Sequence, residues 1–172
     1  MHIIVTGPKG AGKTTNLITL CSLLKKQGKT LGGVISRRLF QGDELLGYEI
    51  VNPGSGDSRI LCTTSPPVGG EAVEIMGFCH YQFRRSAFAE GNQWIAAGLA
   101  ADVLFVDEVG NIELGGGGWD VERVLARKLP LVFGVREDTV PNLEGRWGIT
   151  WPMIHINPGT DATEDLMKML MA

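Results

Sequence analysis

Residues 7–14 read Gly7-Pro8-Lys9-Gly10-Ala11-Gly12-Lys13-Thr14 and fill every fixed position of the pattern GxxxxGK[ST]. The spacing has a physical reason. Glycines let a loop curl so that successive backbone N–H groups point inward at phosphate oxygens. A helix beginning at the end of the loop turns the positive end of its dipole toward the same anion. Lys13 supplies a point charge to the outer phosphates, and the Thr14 hydroxyl is suited to ligate Mg²⁺. Thr15 follows on the first helical turn and completes the expected phosphate-contact set.

A second pair of residues complements the first. Val103-Leu104-Phe105-Val106 is a short apolar run ending in Asp107-Glu108. An acid at the end of a buried strand can hold the Mg²⁺ shell from the side facing the loop, so Asp107 joins Thr14 as the expected metal pair. Glu108 can accept a proton from an attacking water, which makes Lys13 and Glu108 the expected catalytic residues. Taken alone, two acids ending a strand read as solvated charges; the phosphate loop changes that weighting. Asn111 and Glu113 lie on the same stretch, with a solvated-loop role and a site-facing role both open, and Glu113 is the alternative holder of the water. Lys9 lies within the loop, among the expected nucleotide-binding residues, and reads as a solvated charge, with a cation acting in cis on the transition state as the alternative. Arg37, Arg38, Arg84, Arg85 and Arg136 are candidates for an arginine acting in cis, though each alone reads as a surface charge. His80 and His155 sit in apolar surroundings, without the spacing of a metal site, and read as packing residues.

The elements that must position these groups follow from the pattern of apolar residues. Ile3 to Thr6 reads as a buried parallel strand. Leu17, Leu20, Cys21 and Leu24 recur at helical spacing over 14–27, and Gly28 supplies a stop. Leu31–Leu39 and Leu46–Val51 flank a Gly42-Asp43 turn and read as a β-hairpin. Residues 53–56 and 65–70 read as loops, 78–83 as a short strand, and 86–99 as a helix. The run at 103–106 is a core strand. Gly115 to Gly118 form a joint before a helix over 119–128, and 131–135 is a third core strand. Residues 136–151 read as loop, 153–156 as a last strand, and Thr160 or Asp161 as the cap of a C-terminal helix. Strands alternating with helices indicate an α/β fold with a mostly parallel sheet, plus an antiparallel hairpin at one edge.

Composition bounds the rest. The 172 residues suit one domain over 1–172. Sixteen Lys+Arg against nineteen Asp+Glu give a net charge of −3, which argues against a nucleic-acid coat or a polybasic membrane binder. No apolar run reaches the ~20 residues of a membrane helix, and no signal peptide is evident at the start. Three widely spaced cysteines form no CxxC pair, which fits a reducing, cytoplasmic setting. No string of the N/TKxD kind is present to read guanine, and no LSGGQ-like segment is present.

At these residues the chain resembles the small nucleoside-triphosphatases first described from thermophiles, a family whose human relative is called cancer-related nucleoside-triphosphatase. The matching pieces occur in order: IIVTGPKGAGKTTNL from Ile3, LGGVISRRL from Leu31, LGYEIVNPGSG from Leu46, YQFRRSAF from Tyr81, and VLFVDEVGNIEL from Val103. Asn111 stands where the family's acidic motif has Lys. The resemblance implies a RecA-like P-loop fold and Mg²⁺-dependent hydrolysis of ATP, GTP and other nucleoside triphosphates with loose base selectivity. Two alternatives stay open: a P-loop kinase for a small acceptor, and a nucleotide-dependent switch or accessory protein of cofactor biosynthesis. Protein partners cannot be read from the sequence.

Overall fold

β1 (His2–Gly7) is buried along nearly its whole length because its side chains alternate between two cores. Ile3 and Val5 face one, together with Leu17, Leu20 and Leu24 of α1 (Lys13–Lys26) and Leu166 and Leu170 of α6 (Thr163–Met171). Ile4 faces the other, which holds Ile95 of α2 (Arg85–Ala97) and Leu143 of α5 (Val140–Trp147). Period-two alternation on a sheet covered on both sides gives the continuous apolar runs seen in the sequence. The computed structural model describes residues 1–64, 72–73 and 81–172.

Among the described residues one sheet has nine strands. Its parallel half runs β2 (Leu31–Gln41), β7 (Val103–Val109), β8 (Leu131–Arg136), β1, β9 (Met153–His155). β8 therefore separates the loop-bearing strand from the acid-bearing one, and both strands end on the same edge of the sheet. β2 is twice the usual length. Its second half leaves the parallel sheet and pairs antiparallel with β3 (Glu44–Val51). The expected hairpin is thus present, and it is the first step of a larger antiparallel addition. β4 (Ser58–Thr63), β6 (Gln82–Arg84) and β5 (Ala72–Val73) continue it.

Two local readings change, and one strand is new. Residues 140–147, expected as loop, form α5, because Pro141 stands in the first turn, where its missing N–H costs nothing. β4 carries no alternation long enough to announce a strand; its pairing with β3 makes it one. The C-terminal helix begins at Thr163, and Asp161 Oδ1 accepts the Thr163 N–H just ahead of it. The loop expected over 65–70, most of the strand expected over 78–83, and His80 lie outside the described residues.

One side chain ties the start of α1 to the C-terminal segment. Asn16 is buried; its amide donates to Gly12 O (3.0 Å) and Thr160 O (3.1 Å), and its oxygen accepts from Ala162 N (2.8 Å). Asn16→Ala strands a buried N–H and a carbonyl, at a cost of about 2 kcal/mol. The thermal midpoint should fall by about 5 °C, measured by circular dichroism; an unchanged midpoint would show the clamp to be idle.

Candidate functional site

The loop leaves β1 at Gly7 and enters α1 through Gly12, which caps the helix with φ +97°, a left-handed conformation open to glycine. Ala11 N donates to Pro8 O at 3.2 Å, closing the turn. Lys13 is 5% exposed, and its ammonium donates to Gly7 O (3.0 Å) and Pro8 O (3.1 Å). The cation therefore lies back across the start of the loop, resting on two of its carbonyl oxygens. Lys9, Gly10, Thr14 and Thr15 line the same cavity, Lys9 and Thr15 being exposed.

The acid strand meets this loop through one hydrogen bond. Thr14 Oγ1 donates to Asp107 Oδ2 at 2.8 Å, across 93 residues of sequence. Asp107 is fully buried. Ser36 N on β2 donates to the same oxygen (3.2 Å), and Glu108 N to Oδ1 (2.9 Å). Space for this carboxylate comes from Gly134 on β8, where an added Cβ would overlap Asp107 Oδ1. Burial, with the Glu108 charge adding to it, pushes the Asp107 carboxyl up to about 7, so the three donors do not offset its desolvation.

Glu108 is presented differently. Between Val106 and Val109 the β7–β8 register shifts, so Asp107 and Glu108 together oppose Gly134. The bulge carries Glu108 at φ +58°, the one non-glycine residue with positive φ among the described residues, and sends its exposed side chain to the cavity. Glu113 has another setting. The short helix α3 (Asn111–Leu114) buries it, and its two oxygens accept from Gly110 N (2.9 Å) and Trp119 N (3.0 Å). The four-glycine joint is a turn folded round this carboxylate: a Cβ on Gly118 would overlap Glu113 Oε1. Both the solvated-loop reading of Glu113 and the plain-joint reading of 115–118 are therefore replaced. Asn111 is exposed on the cavity rim.

The arginine candidates separate. Arg38 lies against Gly10 of the loop, lines the cavity and forms no ion pair among the described residues. Arg37 pairs with Glu49 (2.5 Å), and Arg136, also on the cavity wall, with Asp138 (2.8 Å). Arg84 and Arg85 are not among the cavity-lining residues. His155 is exposed and meets Glu137 Oε2 at 2.9 Å, so the packing role is corrected: edge strand β9 leaves its side chain in water. Sequence reasoning missed Ser36 and Gly134. A glycine inside the apolar run 131–135 is the signal that pointed to a close approach.

The donor set at Thr14 and Asp107 is a hydroxyl and a carboxylate, hard oxygens that fit Mg²⁺. Among the described residues no cluster of three His, Cys, Asp or Glu is present. An ion here would therefore take its remaining oxygens from phosphate and water. No helix among the described residues is long and apolar enough to cross a membrane.

Burial also pushes Glu113 up to about 7 from 4.5. Between those values the folded chain holds the extra proton, so this group's contribution to stability is lost as pH rises through about 7. Asp107 acts in the same sense. The thermal midpoint of the ligand-free protein should fall by several degrees from pH 5.5 to pH 8, and fall less in Glu113→Gln; a midpoint that rises over this range would contradict the assignment.

Known proteins resemble this chain over most of its length. The family model described as NTPase matches residues 2–147. Nucleoside-triphosphatase THEP1 of Methanopyrus kandleri is 30% identical over 138 residues, covering 79% of this chain and 73% of that protein. The solution structure of a human cancer-related nucleoside triphosphatase superposes with a TM-score of 0.70 at 19% identity, over 98% of this chain and 96% of that one. The crystal structure of THEP1 from Aquifex aeolicus gives 0.68 at 21% identity over the full length of both. These two structures share the P-loop NTPase fold with this chain. The sequence matches show the family: this chain belongs to the NTPase family, an enzyme related to the nucleoside-triphosphatases.

Proposed function

We propose that the chain, acting as one catalytic domain over 1–172, hydrolyses ATP, GTP and other nucleoside triphosphates to the diphosphate and phosphate, with Mg²⁺, in the cytoplasm, on free nucleotides rather than on nucleic acid. The observation that carries this is the 2.8 Å contact between Thr14 and the buried Asp107 beside the Lys13 loop. It joins at one point the groups that triphosphate chemistry requires.

The loop over residues 7–13, in which Pro8 alone lacks an N–H, holds the phosphates through its backbone N–H groups, and Lys13 balances charge on the outer oxygens. Thr14 and Asp107 would hold Mg²⁺, which when bound neutralises charge on the β- and γ-phosphates. Glu108 accepts a proton from a water molecule as its oxygen attacks the γ-phosphorus; the bond to the β-phosphate oxygen breaks and the diphosphate leaves. Glu113 keeps both carboxylate oxygens on backbone N–H groups, and its part is to hold the 110–119 turn.

A phosphate-release assay with ATP, GTP, CTP and UTP, with and without Mg²⁺, tests the reading. Lys13→Ala should abolish binding or turnover in a folded protein; full hydrolysis by that variant would remove the phosphate-loop assignment. With no guanine-reading string, ATP and GTP should lie within about tenfold in kcat/KM, or ~1.4 kcal/mol; a thousandfold preference would show a dedicated base-reading pocket. Glu108→Gln should lower kcat by about 10²-fold with Mg-ATP Kd nearly unchanged. If single-turnover rates show Glu108→Gln at the wild-type rate and Glu113→Gln stalled, the proton acceptor is Glu113.

A further inference from the structure

The phosphate loop occupies one end of its cavity, whose volume is about 520 Å³. The other end has a different chemistry. Tyr48 on β3, Tyr81, Phe83 on β6, Phe88 on α2 and Trp119 make an aromatic wall, and Ile112 of α3 closes one side. The rings hold one another in place: Tyr48 and Tyr81 meet edge to face at 5.5 Å, Phe83 and Phe88 stack at 5.9 Å, and Phe88 and Trp119 tilt together at 4.8 Å. Phosphate binding calls for none of these groups. They come from the antiparallel addition, from α2 and from the 110–119 turn, and the addition lies beyond β7 as seen from β1.

The order of strands decides which end of a nucleotide faces this chamber. Loop N–H groups cradle the inner phosphates, whereas the Lys, Thr and acid gather at the outer ones. Asp107 and Glu108 stand on the chamber side of the loop, so the chamber adjoins the terminal phosphate and the nucleoside leaves the other way. Between the two ends stand Glu108 and Arg38, the latter without an ion pair among the described residues. The polar edge of the chamber is the hydrogen-bonded Tyr48–Tyr81 pair; burial, and then Tyr81, push the Tyr48 phenol up to about 12, so it stays protonated at neutral pH.

We propose that this chamber is a second binding site, occupied together with the nucleotide, for a flat, uncharged, ring-bearing small molecule with a hydroxyl at one edge. Aromatic walls favour a planar ring by stacking and edge contact, and a few placed polar groups orient it. The inference rests on the proposed hydrolase reading only for the direction in which the nucleotide lies.

Isothermal titration with 2-naphthol as the probe tests this. Without nucleotide, one equivalent should bind with a Kd below about 1 mM. At saturating Mg²⁺ and a non-hydrolysable ATP analogue, that Kd should change by less than about threefold. Tyr48→Ala, which removes one wall, and Ile112→Trp, which fills the chamber, should each weaken 2-naphthol at least tenfold while the analogue still binds. Nuclear Overhauser contacts from naphthol protons to the Tyr48 and Phe88 rings should accompany binding in the wild-type protein, a readout that survives if either variant fails to fold. No saturable binding, contacts only elsewhere, or equal affinity in folded variants would overturn the proposal. So would displacement of 2-naphthol by the analogue, which would make the chamber the seat of the nucleobase. Failure of the analogue to bind would count against the hydrolase reading alone, because the titration without nucleotide still reads the chamber.

Discussion

The hydrogen bond from Thr14 Oγ1 to Asp107 Oδ2 is the point on which the site depends. Each partner stands where a separate stretch of fold ends: Thr14 on the first turn of α1, and Asp107 near the end of β7. β8 between β1 and β7 sets their separation, and Gly134 on β8 leaves the room in which the carboxylate lies. Ser36 reaches the same oxygen from β2, so three parallel strands and a helix converge on one buried group. The two cores hold that convergence in register from both faces of the sheet.

The arrangement is electrostatically costly. A fully buried carboxylate with three donors would be well served if hydrogen bonds alone could offset burial, yet its affinity for a proton is raised to about 7. Desolvation and the neighbouring Glu108 outweigh the donors. Glu108 adds a backbone held in the left-handed region by a bulge, a strain of the kind that collects at functional sites. The same bulge lets one strand end carry two acids in different environments, Asp107 inside and Glu108 at the cavity surface. Two environments for two adjacent acids give a physical basis for two jobs.

The loop and its helix were legible because their chemistry is contiguous: eight residues carry the phosphate pattern, and Leu17, Leu20 and Leu24 mark the face that α1 buries. The acid strand was legible for the same local reason. What escaped depends on contacts distant in sequence. The burial of Glu113 needs the turn at 115–118 to fold back over it, and glycines there suggest freedom when read locally. The positive φ of Glu108 has no local signature, since the bulge is defined by its partner strand. Pro141 and Gly145 argue for loop in isolation, whereas Leu143 buried in the core and a proline in the first turn make a helix. The aromatic chamber joins residues from β3, β6, α2 and the turn before α4 (Val121–Leu125), which only the topology brings together.

The most direct measurement of the central claim is a crystal structure of the protein with Mg²⁺ and a non-hydrolysable ATP analogue. The ion should be bound by Thr14 Oγ1 at about 2.1 Å, with Asp107 among its ligands or hydrogen-bonded to its water shell. An ion placed on other residues, with Thr14 and Asp107 still bonded to each other and away from the phosphates, would contradict that claim.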